Sequence, residues 1–305
     1  MTIFKNTLVG SGMSALVYDL YNKKRFKIFS SPRSKILKSN NFYELDKLGG
    51  NSNIWGGYIN LRRHKKFLAN SNYQKLFNNK IFKINQIFTK DSLFFNTFSL
   101  VDKNGDIFRV KKKFFKNNIS LKRIDKIIYK KNKLKILIHK KIITTKKLIL
   151  CIGNLNLIKL LYKSNIIKSD DFISYDDSKC SYVLNNQINQ KKNYYIPMPF
   201  LKILEKIIFK KSKSYDLLNT SLILQKFSGK VQKHKIQCKY LIKMKDTKLR
   251  FFLSNHVTNL RINNVPIRKF LHNKTKNIDV FCSGALKNYL PGPIIQDLIF
   301  DIVKK

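Results

Sequence analysis

The feature that most constrains this chain is a glycine turn near its start. Thr7-Leu8-Val9 runs into Gly10-Ser11-Gly12-Met13-Ser14-Ala15 and continues as Leu16-Val17-Tyr18-Asp19-Leu20-Tyr21. A buried parallel strand needs only about four to six apolar residues, and residues 3–9 supply them around Lys5 and Asn6. The order is strand, turn, helix. Gly10 suits the tight turn, Gly12 lets the backbone approach a pyrophosphate with no Cβ in the way, and Ala15 lets the helix lie close on the strand. The helix N-terminus then offers free N–H groups to the phosphates. A second strand-like run, Phe26-Lys27-Ile28-Phe29, follows. The carboxylate that would close this strand on a ribose hydroxyl is replaced by Ser30-Ser31. A lost charged hydrogen bond costs roughly 1.5–3 kcal/mol and a serine hydroxyl restores about 1. Dinucleotide binding is therefore expected to weaken about tenfold and not to vanish.

Charge is the next constraint. The 305 residues carry 62 Lys and Arg against 17 Asp and Glu, a formal +45. Such a field attracts nucleic acid or an anionic membrane. Lysine, however, outnumbers arginine and is spread over nearly the whole length, among abundant Asn, Ile and Phe, as in proteins of AT-rich genes. A nucleic-acid site concentrates its charge on one face or tail. Compositional drift is the reading this pattern favours, with no specific nucleic acid as partner and an anionic small-molecule substrate as the secondary consequence. Cys151, Cys180, Cys238 and Cys282 have no metal spacing, so no metal site is expected, and a reducing cytoplasm fits. No apolar run approaches the ~18 residues of a membrane span.

Further along, Leu48-Gly49-Gly50-Asn51-Ser52-Asn53-Ile54-Trp55-Gly56-Gly57 places four glycines within nine residues around the only tryptophan. Regular helix or strand is costly there, and the segment suits close approach of backbone to a flat ligand. Residues 35–47 read as an irregular polar connection. A hairpin is expected around Asp102-Lys103-Asn104-Gly105-Asp106, between residues 98–101 and 107–110. Lys111-Lys112-Lys113 beside Phe114-Phe115 reads as a solvated loop next to a core aromatic pair. Three strand-like runs fill residues 124–150, the second alternating and half exposed, the last ending in a continuous, buried Leu148-Ile149-Leu150. Cys151-Ile152-Gly153-Asn154 then opens a helix over 155–162. An amphipathic helix is expected over 200–209.

Taken together, Gly10-Ser11-Gly12-Met13-Ser14-Ala15 and Gly49-Gly50-Asn51-Ser52-Asn53-Ile54-Trp55-Gly56-Gly57 resemble the flavin-binding half of the glucose-methanol-choline (GMC) oxidoreductases, in the branch whose second motif reads GGSSNxWGG. The resemblance implies that the first motif holds the pyrophosphate of FAD and that Gly49, Gly50, Asn53, Trp55 and Gly56 border the flavin, with Ser30 at the ribose position. Gly153 matches the glycine of the family's AAGA-type turn, while Cys151 and Asn154 depart from its alanines. Residues 277–285, with Gly284 and Ala285, resemble the closing strand. Leu290-Pro291-Gly292-Pro293 resembles the final motif, where a helix starting at Pro293 faces the flavin N1/C2 edge; the family's His or Asn before that proline is Gly292 here. Ser254-Asn255-His256-Val257 resembles the segment carrying the first catalytic histidine. His256 is thus the candidate base, the remaining histidines being ordinary hydrogen-bonded side chains.

The implied architecture is α/β: an FAD/NAD(P)-binding, Rossmann-like, doubly wound domain built from 1–60, 119–165 and 275–305, with a reduced substrate region from 61–118 and 166–274. The implied activity is FAD-dependent oxidation of the CH–OH group of a small polyol, sugar, or nucleotide-sugar or polysaccharide precursor, hydride passing to flavin N5. Two other readings remain open at this stage: a degenerate flavoprotein-fold scaffold without catalysis, and a nucleic-acid binder recognised by charge alone.

Overall fold

The computed structural model of the chain describes residues 3–22, 25–30, 35–39, 42–46, 48–53, 58–59, 61–78, 81, 83–86, 98–130, 133–168, 170–177, 182–185, 193–194, 231–233, 242–243, 257–286 and 294–304. His256, Trp55, Gly56, Gly292, Pro293 and the helix expected over 200–209 lie outside the described residues.

Among the described residues the architecture centres on a seven-stranded sheet. Its strands are β1 (Ile3–Val9), β2 (Lys27–Phe29), β3 (Ile119–Ser120), β4 (Lys126–Lys130), β5 (Lys133–Ile138), β6 (Lys141–Leu150) and β7 (Ile278–Val280). Five of them run parallel in the order β3-β2-β1-β6-β7. The first half of β6 pairs antiparallel with β5, and β5 with β4, so one long strand belongs to both the parallel sheet and an antiparallel meander.

Helices cover both faces, and the side-chain alternation of the strands decides which. Leu148, Ile149 and Leu150 are each 0% exposed, as a strand buried on two sides must be. Val9, Phe29, Leu148, Leu150 and Val280 meet α4 (Asn154–Lys163) and α5 (Ile267–Lys274) through Leu157, Leu161 and Leu271. Leu8, Ile28 and Ile149 face the other way, towards α1 (Met13–Tyr21) and α6 (Ile294–Lys304), which pack on each other. α1 is buried from Met13 to Leu20, so it needs almost no polar face. This is the doubly wound α/β arrangement.

The same α1/α6 layer takes in residues from the middle of the chain. Phe67, from α2 (Leu61–Phe67), stacks on Phe300 at 4.0 Å, and Tyr73, from α3 (Ser71–Phe77), is fully buried. Asp19, also fully buried, accepts the Lys116 N–H at 2.6 Å and the Asn117 side-chain amide at 2.5 Å. Those donors replace the water the carboxylate gives up.

Two expectations need correction. Residues 35–47 are not an irregular connection: Lys35–Ser39 and Phe42–Asp46 pair as an antiparallel hairpin, in register from Lys35↔Asp46 to Ser39↔Phe42. In the sequence Asn40-Asn41 separate the two runs, a residue type common between hairpin strands. The hairpin around Asp102 forms its turn, with Gly105 at φ +85°, but its second arm is short. Tyr58–Ile59 and Lys83–Gln86 already flank Phe98–Val101. Only Leu100 and Val101 remain open on one side, where they take the Phe108 N–H at 2.9 Å and a single bridge to Ile107. The alternation of β5 and the three runs of the meander are as expected.

An ion pair ties α2 to α6. Arg63 donates to Asp297 at 2.7 Å, both side chains about 15% exposed. Burial lifts the Asp297 carboxyl to about 6, against the pull of the guanidinium. Because the folded-state value lies above the unfolded one, this group favours folding most in acid and loses that contribution as pH rises through about 6. Arg63→Met leaves the carboxylate unpaired. We expect a loss of about 2 kcal/mol at pH 8 and less than half of that near pH 5, read from urea midpoints at the two pH values. An equal loss at both would contradict the assignment.

Candidate functional site

The parallel strands run outward from β1 in both directions, to β2 and β3 on one side and to β6 and β7 on the other. Their carboxyl ends therefore meet at a topological switch point between β1 and β6, the place where open α/β sheets take their ligands. Both glycine turns lie there, since Val9 is level with Leu150. Gly10–Gly12 lead into α1, and Cys151–Gly153 into α4. Neither N-cap, Gly12 or Gly153, supplies a side-chain hydrogen bond to its helix.

Gly10 has φ +122°, and a Cβ on it would lie 2.2 Å from the Cys151 carbonyl oxygen. The Cys151 N–H donates to Val9 at 2.8 Å and the Gly10 N–H to Phe29 at 2.9 Å, so the two turns and the end of β2 lock together. Glycine at position 10 is a demand of this crossing. Gly12 sits beside the second motif: its Cβ would come 3.3 Å from Ser52 Oγ and 3.5 Å from the Gly49 carbonyl.

The second motif docks directly on the first. Gly49 N–H donates to the Ser11 carbonyl at 3.0 Å, and Ser52 Oγ accepts the Met13 N–H at 2.9 Å, partly capping α1. Residues Gly50–Asn53 form a single 3₁₀ turn. Asn53 folds back over Gly49, where a Cβ would be 2.1 Å from its Nδ2. Its Nδ2 donates to the carbonyls of Leu48 (2.9 Å) and Val110 (3.1 Å), and its Oδ1 accepts the Val110 N–H at 2.7 Å. The side chain is thus spent on the main chain. It shapes the loop by tying Leu48 to Val110.

Ser30, at the end of β2, is buried and donates to Ser11 Oγ at 2.7 Å. The end of β2 therefore presents a paired hydroxyl at Ser30. On the far side, Asn154 Oδ1 accepts the Gly284 N–H at 2.9 Å while its Nδ2 donates to Ser283 Oγ at 2.8 Å. A Cβ at Gly284 would lie 2.6 Å from Asn154 Oδ1 and 3.0 Å from Leu260 Cβ. The turn Ser283–Ala285 is in this way stapled to the start of α4 and to the strand Val257–Ile262. Ala285 is turned into the core.

The structure thus brings Gly10, Ser11, Gly12, Met13, Ser14, Ala15, Ser30, Gly49, Gly50 and Asn53 together, and joins Gly153 to Gly284 through Asn154. Ser52 contributes without having been singled out in the sequence, and Asn154, a departure from the family turn, serves as the link to Gly284. Burial pushes the Cys151 thiol well above its ordinary value and Cys282 up to about 11. Both are neutral and enclosed, which suits core side chains and not nucleophiles. His64 Nδ1 is hydrogen-bonded to the Tyr73 hydroxyl at 3.0 Å, and burial lowers its pKa. His139 sits in the β5–β6 turn and His272 is exposed on α5; His234 lies outside the described residues. Among the described residues no group of His, Cys, Asp and Glu could hold a metal, and no helix is long and apolar enough to cross a membrane.

No protein-family model and no curated protein matches the chain. Solved structures do resemble it. Pyridoxine 4-oxidase from Mesorbium loti aligns over 98% of both chains with 8% identity and a TM-score of 0.49. A flavoprotein/dehydrogenase from Cytophaga hutchinsonii aligns over 99% of this chain and 76% of its own, with 9% identity and a TM-score of 0.42. A mutant flavin monooxygenase from Stenotrophomonas maltophilia aligns over 51% of this chain, which spans 40% of that protein, with 10% identity and a TM-score of 0.28. These likenesses concern the course of the backbone alone.

Asn53→Ala removes three hydrogen bonds at once. The expected cost is about 2–3 kcal/mol in urea unfolding. Hydrogen exchange should quicken at the Val110 amide and stay unchanged at Ile149; uniform protection across both sites would contradict the stapling role.

Proposed function

We propose that the chain is an FAD-dependent oxidoreductase acting on the CH–OH group of a small polyol, sugar, or nucleotide-sugar or polysaccharide precursor. One observation carries the reading: two glycine-led helix N-termini, neither capped by its own N-cap side chain, at the carboxyl ends of adjacent parallel strands at the switch point. An extended diphosphate between two ring systems suits such a switch point. Gly12, Ser14 and Ala15 would hold the pyrophosphate through main-chain N–H groups, Ser30 and Ser11 the ribose, and Gly49, Gly50, Asn53, Trp55 and Gly56 the ring system. Gly153, Gly284, Ala285 and Pro293 would frame its far side. The fit is good at the diphosphate and weaker at the ribose, where the Ser30–Ser11 pair supplies hydroxyls in place of a carboxylate.

FAD, when bound, supplies the two-electron acceptor. In this reading His256 accepts the proton of the donor hydroxyl, which makes the adjacent carbon a better hydride donor. Support comes from its neighbour in sequence, the strand Val257–Ile262, which packs against the Ser283–Ala285 turn at the site. The net charge of +45 favours donors that carry phosphate or carboxylate. Residues 1–60, 119–165 and 275–305 would form the FAD-binding part, and 61–118 with 166–274 the part over the flavin.

The test is anaerobic mixing of the FAD-loaded chain with a broad panel of polyols, sugars and nucleotide sugars, followed by flavin absorbance. At least one donor should bleach the flavin, and His256→Ala should slow that step by about 10²–10⁴. Unchanged rates in His256→Ala would remove the base from the scheme, and bleaching by none of the panel would remove the CH–OH assignment.

A further inference from the structure

The meander turns one face to α4 and the core, and its other face outward. Strand register defines the outward face row by row: Lys130 opposite Lys133, then Ile128 opposite Lys135, then Lys126 opposite Leu137. β6 extends the last two rows with Thr144 beside Lys135 and Ile142 beside Leu137. The inward partners, Ile127, Leu134, Ile136 and Ile138, are in the core. None of the outward positions is acidic. Lys130 and Lys133 are exposed, and so is Ile142, at 48%. Ile128, Lys130, Lys133 and Lys135 line a shallow depression of about 280 Å³.

Two features of this face are unfavourable for a protein alone in water. Like charges directly opposite in a ladder repel, and Lys130–Lys133 is such a pair, with Lys135 two residues along. An isoleucine left nearly half exposed leaves about half of its apolar surface in water, where that part adds nothing to the fold. Both become favourable against an anionic, partly apolar layer. Lysine stems lie along apolar surface while their ammonium groups reach phosphates, and aliphatic side chains enter the headgroup boundary. A nucleic acid would call for arginine forks or aromatic platforms, and the face holds neither.

We propose that this outward face of the β4–β5–β6 meander docks the protein on an anionic phospholipid surface, the lysines meeting the headgroups and Ile128, Leu137 and Ile142 the acyl boundary. The proposal stands apart from the flavin reading. It uses residues remote in the strands from the glycine turns, and its test needs no activity.

The test is co-sedimentation of the whole chain with vesicles of phosphatidylcholine alone or with phosphatidylserine. The composition as a whole is basic, so the decisive control conserves charge. Lys130→Gln/Lys133→Gln/Lys135→Gln should lower partition onto phosphatidylserine vesicles about 100-fold. Lys103→Gln/Lys122→Gln/Lys163→Gln, at exposed positions elsewhere, should lower it less than about threefold. Ile142→Ser should weaken binding severalfold with no change of charge. The first triple variant should melt no lower than the parent, because it relieves repulsion; Lys130→Glu, which sets a carboxylate opposite Lys133, is a second variant that keeps the fold and should also weaken binding. Equal losses in the two triple variants would overturn the proposal in favour of diffuse charge. Loss of binding to a labelled single-stranded oligonucleotide, with vesicle binding unchanged, would overturn it in favour of nucleic acid.

Discussion

The crossing of β1 and β6 at their carboxyl ends is the contact on which the rest depends. Val9 pairs level with Leu150, and the next residue of each strand, Gly10 and Cys151, meets the other's backbone so closely that no side chain fits at position 10. Parallel pairing brings both turns to one edge of the sheet. The opposite alternation of Leu8 and Val9, and of Ile149 and Leu150, then sends one helix to each face. Two helix N-termini at a common edge follow from the sheet and require no dedicated binding element.

Around that crossing the polar work is done by neutral amides and scarce acids. Asn53 and Asn154 bind main-chain groups on segments far away in sequence, Val110 and Gly284, and so hold the loops at the switch point. Asp19, Asp297 and Asp301 are engaged by Lys116 and Asn117 amides, Arg63 and Arg268. Arg268 also donates to the Val280 carbonyl at 3.0 Å and lies over the Phe281 ring, tying α5 to β7 and α6. In a chain with 62 basic residues and 17 acidic ones, these acids serve architecture, while none of the lysines whose burial is described is in the core.

How much of this could be read in advance follows from the range of each interaction. The glycine turn, the continuous run Leu148-Ile149-Leu150 and the alternation of residues 133–138 are local signals, because period and backbone demands are written into neighbouring residues. Asn53 lies inside the second glycine motif, but its partner at Val110 is 57 positions away, and nothing within the motif announces it. Asn154 read as a departure from a family pattern and proves to be the staple for Gly284, 130 positions on. The 35–46 hairpin is hard to read locally because its apolar residues come in adjacent pairs, Ile36-Leu37 and Phe42-Tyr43, which break the period-2 alternation. Phe67, Tyr73, Leu100 and Phe108 enter the α1/α6 core from separate short segments, so no run within 61–118 carries a continuous apolar period.

The claim at the centre of this account is that the switch point holds a flavin dinucleotide. Its most direct measurement is the absorption spectrum of the purified chain before and after addition of FAD, with the released cofactor identified after denaturation. The account predicts a protein-bound flavin band, one FAD per chain on release, and its loss when Gly12 is replaced by valine in a protein that remains folded. A folded chain that shows no bound flavin even with FAD in excess would contradict it, and would leave the glycine turns as architecture only.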